Sequence, residues 1–319
     1  MSILYSFPGQ GAQQVGMLHV LPAHEETART LAETAGVLGY DPLALDSAEA
    51  LCSTVATQLC LLVAGVAMAR VLAAHGAVPH MVAGLSIGAW PAAVTAGVLA
   101  YPDAVRLVEL RARLMEQGYP QGYGMWAVSG LDVGQMEGVL AHVHSTATPV
   151  YLANLNAPRQ QVLAGTDDAL ARAGALALAS GATRAEQLAV RVPSHCELLA
   201  TQAATLQQAF GGVALSRPKA VYLSGSRARA LFDPAAIRDD LAWNMARQVH
   251  WYDTVRHAWE RGARLALEMP SGAVLTSLTA PVFKGGLALC CQHNRLDSLL
   301  TLLGREYSDH DLEYPSPAP

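Results

Sequence analysis

The chain has 319 residues, of which 52% are hydrophobic and only 15% charged, enough apolar matter for a sizeable core and too little charge for an extended disordered chain. Its formal charge is −5, Lys219 and Lys284 are the only lysines, and no basic run occurs. A general nucleic-acid surface is therefore excluded, and an anionic ligand must be met by individual arginines.

Five cysteines (Cys52, Cys60, Cys196, Cys290 and Cys291) form no C-x-x-C pair, which reads as reduced intracellular thiols rather than a disulfide framework. Zinc spacing and H-E-x-x-H are both lacking, so no metal is expected. No positively charged leader opens the chain. The most apolar stretch, residues 59–69, is too short to span a bilayer and ends at Arg70. A cytoplasmic protein with no membrane partner is the expectation.

In chain order, residues 3–7 predict a strand running into the turn Gly9-Gln10-Gly11. A long apolar helix is predicted over 55–74, and a short strand over 80–83 that ends in Gly84-Leu85-Ser86-Ile87-Gly88. The apolar run 90–99 follows at once, giving the strand, sharp turn and helix of an α/β protein. Pro102 starts the next helix and Gly118 ends it. Its apolar stripe holds Ala104, Leu107, Val108, Leu114 and Met115, and by the same spacing it also holds Arg111.

From Gly124 the texture changes. Strands are predicted at 125–129, 150–155, 161–164 and 184–190, with helices at 135–143 and 168–180. That βαββαβ order marks residues 124–192 as a ferredoxin-like insert. Residues 1–123 and 193–306 then form one large α/β-hydrolase-like domain around a parallel sheet. Its second half holds a helix after His195, a strand at 220–223 and a helix at 235–245. A strand at 265–268 then leads through Pro270-Ser271-Gly272 to a helix from Val274. The polar, Pro-rich stretch 307–319 reads as a loose tail.

Four places could carry chemistry. Gly84-Leu85-Ser86-Ile87-Gly88 is a G-x-S-x-G between strand and helix, the context of a nucleophile elbow; the competing reading is an ordinary Gly-rich turn. In an elbow, Ser86 attacks and the Ile87 amide donates to the developing oxyanion. Pro91, early in the following helix, removes a donor and predicts a loosened second turn. Arg111 on a buried stripe needs an anion, either a substrate carboxylate gripped bidentately or an internal Asp or Glu. The Gly9-Gln10-Gly11 turn is no phosphate loop, because both G-x-x-x-x-G-K-[ST] and G-x-G-x-x-G fail. His195 follows the Val192-Pro193-Ser194 break, where a base could reach Ser86, although a surface or capping histidine fits the same position.

Together these places resemble one family, the malonyl-CoA:acyl-carrier-protein transacylases, over roughly residues 3–300. The motifs run in order: Phe7-Pro8-Gly9-Gln10-Gly11-Ala12-Gln13, the Ser86 elbow, Leu110-Arg111-Ala112-Arg113-Leu114-Met115, Asn154-Leu155-Asn156-Ala157-Pro158 and Val192-Pro193-Ser194-His195-Cys196. The resemblance implies a ping-pong acyltransferase that moves malonyl from malonyl-CoA to a carrier thiol. Ser86 would be acylated with His195 as its base, and Gln10 and Ile87 would form the oxyanion hole. Arg111 would hold the malonyl carboxylate, Met115 and Asn156 would line the pocket, and Asn244 would orient the histidine. No permanently bound cofactor is implied, and the partner is an acyl-carrier protein.

Leu85 departs from the histidine common before the nucleophile in fatty-acid-synthesis members, as does Arg247-Gln248-Val249 from their pattern. Gly122-Tyr123-Gly124-Met125, Tyr222-Leu223-Ser224-Gly225-Ser226-Arg227 and Glu268-Met269-Pro270 look like the transacylase (epsilon) subunit of malonate decarboxylase. On that likeness the acceptor is the phosphoribosyl-dephospho-CoA thiol of the decarboxylase's carrier subunit, with other decarboxylase subunits as partners. The alternative is a fatty-acid-synthesis transacylase acting on phosphopantetheine. From other classes, a serine thioesterase or hydrolase and a non-catalytic carrier-docking subunit compete.

Overall fold

A computed structural model describes residues 2–119 and 121–313, with side chains through Gly304. The elements are β1 (Ser2–Phe7), α1 (Glu25–Leu38), α2 (Thr54–Ala74), β2 (Met81–Gly84), α3 (Ala89–Thr95), α4 (Tyr101–Gly118) and β3 (Tyr123–Ser129). Next come α5 (Val133–Val143), β4 (Val150–Ala157), β5 (Gln160–Thr166), α6 (Asp167–Ala179), β6 (Arg184–Gln187), α7 (Ala200–Ala209), β7 (Val221–Ser224) and β8 (Arg229–Leu231). The chain continues with α8 (Pro234–Trp243), α9 (Trp251–Glu260), β9 (Ala263–Glu268), α10 (Val274–Thr279), β10 (Leu287–Cys290) and α11 (Leu296–Glu313).

Ile3, Leu4, Tyr5 and Phe7 are fully buried, so β1 is apolar on both faces, as a central parallel strand must be. It lies inside a six-stranded sheet of order β10-β9-β1-β2-β7-β8. Every neighbour pair is parallel except β7–β8. Parallel pairing brings the carboxyl ends of β1, β2 and β9 to one edge, where α/β sheets place their sites. The turns 8–12, 85–88 and 270–273 meet there. Helix α2 is long and apolar enough to cross a membrane, but 89% of its most apolar window is buried within the protein. It packs against α1, α3 and α4, which is why it is apolar on every face.

The second sheet has the order β4-β5-β3-β6 with every pair antiparallel. With α5 and α6 this is the ferredoxin-like βαββαβ arrangement. Alternation on β3 separates its two faces: Val128 packs with Met136, Leu140, Leu163 and Leu170 under the helices. Met125 packs on the opposite face with Ala153, Val162, Ala164 and Val190. The edge strand β4 is stitched to the segment before α9: Leu155 N–H donates to Val249 O at 2.7 Å and Val249 N–H to Ala153 O at 2.9 Å.

Three expectations need correction. The strand expected over 184–190 ends at Gln187, because the chain leaves the ladder there and Leu188, Ala189 and Val190 line a cavity instead. The loose tail expected over 307–319 is helical as far as Glu313, within α11, and residues 314–319 lie outside the described residues. Pro91 does not loosen a second turn. A 3₁₀ turn spans Ser86–Gly88 and the α-helix starts at Ala89, so Pro91 falls in its first turn, where no intrahelical donor is needed.

Candidate active site

At the end of β2 the chain must reverse direction within a few residues. Ser86 takes up φ +56°, a left-handed backbone that costs a non-glycine residue energy and concentrates at functional sites. The two flanking glycines are sterically required. A Cβ on Gly84 would sit 1.9 Å from Gly88 C, and one on Gly88 would sit 2.1 Å from Phe7 O. Leu85 N–H donates to Phe7 O at 3.0 Å, fixing the elbow to the end of β1. The Leu85 side chain lines the cavity and packs beside Gly9, whose Cβ would meet it at 2.7 Å. Ile87 is fully buried and lies in the first turn after the serine, where backbone N–H groups lack intrahelical acceptors.

Arg111 is fully buried on α4. It donates to Gln58 Oε1 at 2.6 Å, Asn244 Oδ1 at 3.2 Å and Ser86 Oγ at 3.3 Å, while its Nε has no partner. All three acceptors are neutral, and among the described residues Arg111 forms no ion pair. Burial alone pulls its pKa down to about 9. The internal Asp or Glu of the competing reading is therefore not there.

His195, also at positive φ (+65°), is 3% exposed. Its Nδ1 lies 2.7 Å from Asn244 O and 3.2 Å from Arg247 O. Only an Nδ1–H can satisfy two carbonyls, so Nε2 is the basic nitrogen. Burial first, and Arg111 second, pull the imidazole down to about 4, against the two carbonyls, which raise it. Ser86 and His195 line the same cavity of about 330 Å³, but no hydrogen bond joins them, since Ser86 Oγ accepts from Arg111 instead. Hydrogen bonds of this kind often tighten only once substrate is bound.

The same cavity takes in Gln10, Met115, Asn154 and Asn156. Asn156 is 8% exposed and its Oδ1 has no partner among the described residues. Asn244 sits beside the histidine, and it is its backbone carbonyl that receives the imidazole. Its side chain binds Arg111 and donates to Ser86 O at 3.2 Å. Gln58 was not foreseen. It bridges Arg111 and, at 3.5 Å, the Met115 sulfur. The one sequence signal for it is an amide at the edge of a continuous apolar run.

The chain matches the acyl transferase domain model over residues 4–290. It is 39% identical over 281 residues to the malonyl CoA-acyl carrier protein transacylase of Escherichia coli O157:H7, covering 86% of this chain and 91% of that protein. The chain belongs to the malonyl-CoA:acyl-carrier-protein transacylase family. Transacylase structures agree with it. An acyl carrier protein S-malonyltransferase from Vibrio cholerae superposes with a TM-score of 0.88 at 36% identity, over 95% of this chain and all of that one. A malonyl-transacylase solved with a type II polyketide acyl-carrier protein gives 0.88 at 36%, over 96% and 100%. This transacylase-family chain is thus an acyltransferase with the large α/β unit and ferredoxin-like unit of its relatives. Their names favour the fatty-acid-synthesis transacylase alternative over the malonate decarboxylase reading.

Proposed function

We propose that the chain transfers malonyl from malonyl-CoA to the thiol of an acyl-carrier protein by a ping-pong mechanism. A single observation carries the choice of acyl group: a buried guanidinium beside the nucleophile, balanced only by neutral dipoles. A buried charge without a counterion is costly, and a free carboxylate on the acyl group supplies one. In the first half, His195 Nε2 takes the Ser86 proton and Oγ attacks the thioester carbonyl. The Ile87 amide and the Gln10 turn stabilise the oxyanion, and CoA departs with the proton. In the second half the carrier thiol attacks the seryl ester, the histidine again moves the proton, and Ser86 is restored. Asn244 O and Arg247 O hold the imidazole throughout. No carboxylate orients His195 among the described residues, which weakens the hydrolase reading, since such enzymes place an acid there.

The relatives' names support a phosphopantetheinylated carrier of the fatty-acid or polyketide type as acceptor. Leu85 supports a second acceptor, the ribosylated thiol on a malonate decarboxylase carrier. Five free cysteines support a reducing, cytoplasmic setting. Mixing the enzyme with malonyl-CoA and weighing the intact protein tests the chemistry: a malonyl adduct forms, and Ser86→Ala abolishes it. An undiminished adduct in that variant sinks the assignment. Parallel transfer assays with the two carriers, each bearing its own prosthetic group, decide between the acceptors.

A further inference from the structure

A second chamber of about 680 Å³ adjoins the Ser86 cavity, sharing Gln10, Leu188 and Ala189 as common walls. Its remaining lining is Gln13, Leu51, Cys52, Thr54, Gln187 and Arg191, so Arg191 is its only charged side chain. Arg191 is exposed and forms no ion pair or side-chain hydrogen bond among the described residues. The two chambers thus adjoin, with the Arg111 guanidinium 3.3 Å from Ser86 Oγ on the inner one and Arg191 on the lining of the outer one. Glu186, on the lining of the Ser86 cavity, is paired with Arg184 at 2.5 Å.

We infer that the outer chamber is a phosphate subsite in which Arg191 grips the phosphate of a pantetheine thioester. This rests on the malonyl-transfer reading of Ser86. A malonyl-pantetheine phosphate carries an anion at each end of a long neutral arm, and the two chambers offer a cation at each end, the Glu186 carboxylate on the inner lining being paired with Arg184. Arg111 meets the carboxylate, and Arg191 meets the phosphate through a charge-assisted fork. Both CoA and a phosphopantetheinylated carrier bring such a phosphate, so the contact serves the donor half-reaction, the acceptor half-reaction or both. The contact is exposed and therefore screened by salt, unlike a packing role.

The test compares substrates with and without phosphate. For formation of the Ser86 adduct, Arg191→Ala lowers kcat/KM for malonyl-CoA by about tenfold, mostly through KM, and narrows the preference over malonyl-pantetheine by the same factor. Arg191→Lys recovers part of that preference, and raising the salt shrinks it in the wild type. In the second half-reaction, the same comparison of a phosphopantetheinylated carrier with free pantetheine shows whether the carrier phosphate uses the site. Calorimetry of CoA against pantetheine reads the contact without chemistry: Arg191→Ala weakens CoA binding and brings it towards that of pantetheine. Equal losses with phosphorylated and unphosphorylated ligands, or CoA binding indifferent to the substitution, overturn the subsite. A wild-type enzyme that binds CoA through Arg191 yet forms no adduct at Ser86 would instead overturn the transfer reading and leave the subsite standing.

Discussion

The proposed choice of a malonyl group rests on a single side chain, Arg111. Its donors reach an amide oxygen on α2, an amide oxygen after α8 and the Ser86 hydroxyl, and none of these carries charge. Removing a charge-assisted partner of a bound carboxylate costs about 2–5 kcal/mol, so Arg111→Ala should cut malonyl transfer by roughly thirtyfold or more. Acetyl transfer, which offers no carboxylate, should fall far less. Steady-state kcat/KM for the two acyl donors checks this, and equal losses would reduce Arg111 to a structural role. The residue was legible in sequence because helical spacing alone put an arginine on an apolar stripe. Its amide partners were not. Gln58 lies 53 residues away and Asn244 lies 133 away, and no local pattern connects positions so far apart.

Elements rather than residues set the posture of Ser86. The elbow works because β2 ends beside β1 and α3 starts almost immediately, leaving backbone against backbone at Gly88. Gly88→Ala would push a Cβ onto Phe7 O, an atom held in the central sheet and unable to withdraw. We expect a loss of at least about 1–3 kcal/mol, the overpacking range, seen as a lower denaturation midpoint together with a collapse of adduct formation. Gly138 is the counter-case: it is exposed in α5 and its added Cβ meets nothing within 4 Å. Gly138→Ala should stabilise by about 0.5–1 kcal/mol and leave transfer unchanged. The main elements were readable because their periodicity is strong. Short edge strands were not: β8 has three residues and carries Arg229, while β10 is mostly half-exposed, so neither shows a buried alternation. Leu188, Ala189 and Val190 misled for the opposite reason, since they are apolar enough for a strand but serve as a cavity wall.

Across the whole molecule, enclosing an imidazole between two sheets ties folding to pH. His195 leaves the small unit's last strand region and is received by the segment after α8, where its own N–H also donates to Met245 O at 2.7 Å. That enclosure pulls the imidazole from 6.5 to about 4, by burial first and by the nearby guanidinium second. The neutral imidazole that the proposed mechanism needs is therefore present throughout the neutral range. Unfolded, the same histidine titrates near its ordinary value, so between about 6.5 and about 4 the unfolded chain binds the extra proton. Its contribution to stability is fully present above 6.5, declines as the pH falls through that window and levels off below about 4. At 1.36 kcal/mol per unit, the full loss is of order 3 kcal/mol. Urea titrations at a series of pH values, compared with His195→Gln, which cannot titrate, should show the wild type losing that much more stability on acidification. Parallel curves for the two proteins would mean that the imidazole is not held neutral by the fold. Replacing Arg111 by alanine removes the second cause, so the His195 titration followed by NMR should move upward in that variant, towards the ordinary imidazole value.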